Sequence, residues 1–585
     1  MGKMTRRGFL GAAAAGAMTL ASAGALAACS PTVAKSDDVA SDSGFRQSSW
    51  RQAPEPVSDI AETYECDVLV IGLGHAGCTA FRAAAEAGAK VCAMQETEED
   101  ALTFRGGGQI GHINSRFLAD RGVPNVDIVE FMNDWQVRSN NRSNPGLVMN
   151  YAKNCGECFD WLFSDVTDEQ KKNVAIRSFV EGGPFKRELS GVKTWVGTAM
   201  MGDYINDALA KCIQVGLDAG GKVCYGTKAC QLVTDDAGAV VGAIGEGPNG
   251  YVQVNATKGV IIATGGFGAN ADMCADLLYE INERMGPDDA ISAMMDSDGT
   301  GIQMGYWVGG RIDPCIGTMD GAYWYPTDQP VDLLGATAAL WINAEGKRYS
   351  NEGFGSTELQ AMPGAWQPSG DIATVFDDNV EELIMAQPFG HMAIDYSTGD
   401  FSAIRATMEK AYAGKEKGSA DESSEQKEAA GGEAQSADDI VGAMSASVVY
   451  AADDFETLGT YLGYTGEALD AFVATIEHYN ELCEAGSDTD FGKDPSLMIG
   501  LTKPPYYGYK GTKKVGALMV TCGGLLVDAD GRVLDENYRP IGGLFAAGNA
   551  SGGRFGWQYF TSIAGQSLSM AETLGMLAGR TAAEG

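Results

Sequence analysis

Histidine is scarce in this 585-residue chain: there are four copies, and none completes a C-x-x-C-H haem attachment site. One C-x-x-C is present, Cys155 and Cys158 in "CGECF". No second pair follows at zinc spacing, and no further ligands offer an iron–sulfur cluster. The pair reads as buried thiols on a helix. Positive charge is also short. The 42 Lys and Arg face 78 Asp and Glu, a formal charge of −36, which repels nucleic acid and anionic headgroups and argues against a polyanionic partner. The 78 glycines follow no G-x-y period, so they exclude a fibre and imply tight backbone approaches.

What is present begins with an address. Arg6-Arg7 followed by Phe9-Leu10 and an Ala/Gly-rich run resembles a twin-arginine export signal. The run ends at "LAAC", Leu26 to Cys29, which resembles a lipobox, with Cys29 as the lipidated residue. Ala and Gly supply too little transfer energy to favour a transmembrane anchor. The expectation is a signal over 1–28, a flexible polar tether over 29–62, and a protein lipid-anchored on the outer face of the cytoplasmic membrane.

"DVLVIGLGHAG", Asp67 to Gly77, places a buried strand before glycines spaced G-x-G-x-x-G. A helix over Ala76 to Ala87 and a strand over Lys90 to Met94 complete a βαβ unit. Gly72, Gly74 and Gly77 then sit where a dinucleotide pyrophosphate meets a helix N-terminus. Glu96 is the expected ribose ligand, with Gln95 beside it able to donate and accept as well. The twin-arginine route exports folded protein, which favours a cofactor that travels with the chain, FAD rather than exchangeable NAD. Further strands are expected over Lys222 to Gln253 and Gly259 to Phe267. Helices are expected over Gly202 to Gly216, after Asp296 and near the C-terminus. Between 317 and 516 aromatics and prolines increase, and Lys415 to Asp439 is nearly devoid of large apolar residues, a disordered insertion on composition. The fold class is therefore α/β: a split Rossmann-like FAD-binding domain (63–316 and 517–585) with an inserted α+β capping domain (317–516).

Six segments in order, "DVLVIGLGHAG", "GVIIATGGF", "DGTGIQMG", "GKRYSNEG", "TCGGLLVD" and "GGLFAAGNASGG", resemble the soluble fumarate reductase and 3-ketosteroid dehydrogenase family of FAD enzymes. The resemblance covers the chain from about Cys66 to its end. It implies a substrate held between a mobile cap and a non-covalent FAD. It also implies an FAD site lined by Gly72, Gly74, Gly77, Gly265, Gly266, Asp298, Gly299, Gly548 and Asn549, with Gly111, His112, Ser562 and Ile563 near the flavin. The family's dicarboxylate anchors are not matched. Tyr325, Ser356 and Val520 stand at three of those positions, and no arginine follows Arg554 in "RFGWQYFTSIAG". Carboxylates left unpaired in a closed pocket cost several kcal/mol, roughly, which disfavours fumarate.

Aromatic side chains take the anchors' place, and Tyr323, Trp324, Trp557 and Phe560 are the expected substrate contacts. Tyr559 falls near the tyrosine that ketosteroid dehydrogenases use on the steroid carbonyl, so it is expected to stabilise a developing enolate. Tyr325 is the expected proton donor, with Ser356 and Glu358 as alternatives. The expected reaction is reduction of an activated C=C bond in a largely uncharged, ring-containing molecule. Electrons would come from a separate membrane or haem partner. A ketosteroid-type dehydrogenase and a flavin shuttle without substrate chemistry stand as alternatives.

Overall fold

The first strand, β1 (Ile60–Ile71), begins before its apolar run, because its polar half forms a parallel ladder with a later strand from Ile60–Tyr251 through Ile71–Ile262. The computed structural model describes residues 48–585, except 107, 190, 279–295, 320–321, 326–337, 355–365, 391–399, 415–448 and 516–519. The expected export signal, Cys29, Ser356, Glu358 and the run 415–439 lie outside the described residues.

Helix α1 (His75–Glu86) leaves β1 through the glycine turn, and β2 (Val91–Met94) returns parallel to it. Then come α2 (Ile128–Arg138), capped by Asp127, and α3 (Pro145–Leu162), capped by Asn144 with proline at the first helical position. Helix α4 (Tyr204–Asp218) leads to β3 (Lys222–Cys224). Strands β4 (Lys228–Thr234), β5 (Val240–Gly247) and β6 (Gly250–Ile262) form an antiparallel meander, and the apolar end of β6 continues into the main sheet. Short α5 (Ala271–Leu277) and α6 (Thr300–Trp307) follow.

A second, five-stranded antiparallel sheet lies within residues 322–515. Its strands are β7 (Ala322–Tyr325), β8 (Leu340–Asn343), β9 (Asp371–Phe376), β10 (Val449–Ala452) and β11 (Tyr506–Val515), with α7 (Glu467–Ala485) packed against it. The chain leaves for this sheet and returns from it through one two-stranded ribbon, Thr318 opposite Thr521 and Met319 opposite Val520. Strands β12 (Arg532–Leu534) and β13 (Pro540–Ala546) complete the first sheet in the order β12-β13-β6-β1-β2-β3, and α8 (Gln566–Glu584) closes the fold. Helix α8 lies directly on α1 because glycines face it. A Cβ at Gly575 would stand 2.2 Å from the Ala76 carbonyl oxygen, and one at Gly579 2.4 Å from that of Ala80. Among the described residues no helix is long and apolar enough to cross a membrane.

The tether expected over 29–62 ends earlier than its composition implies. Trp50 is buried, its Nε1 donates to Asp276 at 2.8 Å, and Arg51 Nε donates to the same carboxylate at 2.6 Å. Trp307 Nε1 donates to the Trp50 carbonyl at 2.8 Å. A single tryptophan docking on partners more than 200 residues away carries no periodic signal in the sequence.

Candidate active site

The C-terminal ends of β1, β2, β6 and β13 open on one cavity of about 400 Å³. Its geometry starts with Gly72, at φ +87°, where a Cβ would meet the Ala263 carbonyl oxygen at 2.8 Å. Gly77 seats α1 on that turn, because a Cβ there would lie 1.8 Å from the Gly72 carbonyl oxygen. Gly74 differs: a Cβ there has nothing within 4 Å, since this residue faces the cavity. The first amides of α1 have no intrahelical acceptor and the helix dipole is positive at this end, so the opening suits a pyrophosphate.

The structure separates the two ribose candidates. Gln95 accepts from Leu73 N at 2.8 Å and donates to Thr97 Oγ1 at 2.8 Å, so its amide holds the loop together. Glu96 lines the cavity with its carboxylate 3.9 Å from Lys228 Nζ. Lys228 also pairs with Asp298. Burial works against the Asp298 charge, but Lys228 and Thr300 outweigh it and hold the carboxyl below its ordinary value. Glu96 and Asp298 both line the cavity, and Glu96, farther from Lys228, is the freer of the two.

Gly265 (φ +81°), Gly548 (φ +68°), Asn549 and Tyr559 complete the wall. Arg105, Gln109, Thr264 and Lys228 also line it and were not singled out by sequence. The glycine run after Arg105 was the available signal, since it marks close backbone approach. Gln109 Oε1 and Thr264 Oγ1 are buried without a protein partner. Open atoms facing a cavity are available to a ligand, and with the helix N-terminus and Glu96 they fit FAD. His75 ties the wall together, with Nδ1 2.9 Å from Glu572 Oε1 and Nε2 2.9 Å from the Arg105 carbonyl oxygen. That carbonyl only accepts, so Nε2 carries a proton. Burial pushes the Glu572 carboxyl up, against the pull of His75.

Several expected contacts lie elsewhere. Gly77 packs helix on strand. Gly266 N donates to Asp296 at 2.8 Å, and Gly299 is the left-handed cap of α6. The Gly111 carbonyl accepts from Tyr151 at 2.8 Å. His112 is a satisfied core residue, not a flavin contact. Its ring stacks on Phe159 at 3.9 Å, bonds Ser115 Oγ at 2.7 Å, and is pushed down to about 3 by burial. Ser562 and Ile563 are buried, with their amides donating to Gln566.

Of the aromatic candidates, Phe560 is core: it meets Trp135 edge-on at 4.9 Å with Arg138 over its face at 4.7 Å. Trp557 is 54% exposed and does not line the cavity. Tyr323, Trp324 and Tyr325 lie on β7; their side chains fall outside the described residues. Tyr559 is fully buried and reaches the cavity wall, as does Val520.

Cys155 and Cys158 are both buried; burial pushes Cys155 up to about 12 and Cys158 up as well. Among the described residues no group of three His, Cys, Asp or Glu is placed to hold a metal.

Comparison with known proteins agrees with this geometry. Over 544 residues the chain is 26% identical to vinyl phenol reductase of Lactiplantibacillus plantarum, covering 90% of this chain and 98% of that protein. It is 26% identical over 563 residues to urocanate reductase of Eggerthella lenta, covering 93% and 79%. The 3-ketosteroid-Δ4-(5α)-dehydrogenase of Rhodococcus jostii RHA1 shares the fold, with a TM-score of 0.60 at 22% identity over 91% of this chain and 99% of that one. Residues 67–562 match the FAD-binding domain that the cavity's donors and acceptors describe, and the chain belongs to that family.

Proposed function

We propose that this FAD-dependent oxidoreductase reduces an activated C=C bond of a largely uncharged, ring-containing substrate. The observation that carries the reading is Tyr559, fully buried and lining the FAD cavity together with Val520. A phenol beside an aliphatic wall offers a neutral hydrogen-bond donor at this end of the cavity, which suits a carbonyl or phenol oxygen. Likeness to a vinyl phenol reductase over 98% of that protein supports a ring-bearing alkene.

Bound FAD supplies hydride transfer to carbon. The chain's own part is to hold and polarise. The α1 amides fix the pyrophosphate end and Glu96 the ribose. Tyr559 donates to the substrate oxygen on which charge develops, a contribution of about 2–4 kcal/mol in such settings. Tyr325, on β7, is the proton donor in this reading, with Ser356 and Glu358 as the other candidates.

Export through the twin-arginine signal, lipidation at Cys29 and electron supply by a membrane or haem partner complete the proposal. Cys29→Ser should move the protein from the membrane fraction to the supernatant. The central test is anaerobic reoxidation of the dithionite-reduced protein by enones, cinnamates, vinyl phenols, steroids and fumarate. Fast reoxidation by a conjugated ring compound and slow reoxidation by fumarate is the expected result. Fast reoxidation by fumarate alone rejects the reading, and no reoxidation by any of them leaves the shuttle.

A further inference from the structure

Two other buried cations, Arg348 and Arg138, stand beside carboxylates. Arg348 donates to Glu352 at 2.9 Å and to Asp488 at 2.8 Å, and Arg138 lies 3.8 Å from Asp134. Arg554 is different. It is fully buried, its Nη2 donates to Asn549 Oδ1 at 2.8 Å, and its Nε donates to the Ser551 carbonyl at 3.3 Å. Both acceptors are neutral. Nη1 is buried with no partner, and no carboxylate among the described residues lies within ion-pair distance.

Asp313 and Asp296 are near enough to act on Arg554 electrostatically, but each is already engaged by backbone amides. Burial lowers the guanidinium from its ordinary value, yet arginine keeps its proton in proteins. A buried charge hydrogen-bonded only to neutral groups, with carboxylates at longer range, is incompletely compensated and costly. The place for a compensating charge is close. Asn549 lines the FAD cavity, and Tyr559, on the same wall, also acts on Arg554 electrostatically.

We propose that Arg554 is a positioning residue for charge on the bound flavin. From behind the Asn549 wall it stabilises the one negative charge left when the ring system takes up two electrons and one proton from an external low-potential donor. It thereby raises the reduction potential and keeps the second proton off. This rests on flavin binding and is independent of which alkene is reduced.

The test is the two-electron potential of the flavin-loaded protein, measured by equilibration with a reference dye. Arg554→Met should retain flavin and lower the reduction equilibrium constant at least tenfold, about 30 mV for a two-electron couple. Arg554→Lys should restore most of that loss. A yellow Arg554→Met protein with an unchanged potential overturns the inference. The unaltered protein gives a second readout that no folding defect can obscure. One proton per two electrons predicts a potential that falls by about 30 mV per pH unit around neutrality. A slope of about 59 mV, two protons per two electrons, also overturns it. Colourless purified protein would instead reject the flavin reading beneath it.

Discussion

Arg348 and Arg554 are both buried, and the protein treats them in opposite ways. In the second sheet's domain Arg348 and Lys493 face Glu352 and Asp488, so that cluster balances itself. Burial works against the Arg348 charge, but Glu352 and Asp488 outweigh it and hold the guanidinium above its ordinary value. Burial pulls Lys493 down, and its Nζ also donates to Tyr479 at 2.8 Å. At the FAD cavity the balance is incomplete: Lys228 pairs with Asp298, but Arg554 has no acid within ion-pair distance among the described residues, and Gln109 Oε1 and Thr264 Oγ1 have no partner. A cluster whose charges are satisfied internally is scaffold. One that leaves them open is shaped for a partner.

The comparison breaks most severely at the glycines. Gly77→Val drives side-chain atoms into the Gly72 carbonyl, already 1.8 Å from an ideal Cβ, and should abolish flavin retention, read as loss of visible absorbance. Glu352→Ala leaves Lys493 without its acid. It should cost about 3–5 kcal/mol in denaturant unfolding while the folded fraction keeps a normal flavin spectrum. Tyr559→Phe should do the reverse, lowering kcat by about 10²–10³, roughly 3 kcal/mol, with flavin retained and stability little changed. If Tyr559→Phe turns over normally, the cavity wall is scaffold as well.

The smallest effect concerns Asp134, raised by burial from 3.8 to about 6 despite Arg138. Between those values the native state holds a proton that the unfolded chain has lost. Its contribution to stability therefore falls as pH rises through the window, by at most about 3 kcal/mol. Asp134→Asn should flatten that slope in chemical denaturation.

Local chemistry was legible in the sequence; burial was not. Glycines at 72, 74 and 77 specify a turn with little dependence on distant residues, so the β1–α1–β2 unit could be read directly. Phe560 looked like a substrate contact because aromatics cluster around it. Its fate is decided by Trp135 and Arg138, more than 400 residues earlier. His112 has the same explanation, since its partner Phe159 comes from α3, more than 40 residues later. Lys228 belongs to no short motif, and only the folded sheet brings it to the cavity. Trp50 shows the limit of composition: one apolar residue in a polar stretch suffices to anchor it.

The ribbon formed by Thr318–Met319 and Val520–Thr521 has a mechanical consequence. Asp296 accepts from Gly266 N, Gly268 N, Ser297 N and both donors of Thr521, clamping the foot of that ribbon to the first sheet. The upper body is thus hung by a narrow neck. Swinging it aside means twisting that neck and releasing lateral latches such as Phe389 N to Thr194 Oγ1 at 3.0 Å and Arg187 to the Gln387 carbonyl. Any displacement of the second sheet therefore has to strain bonds to one buried carboxylate, Asp296.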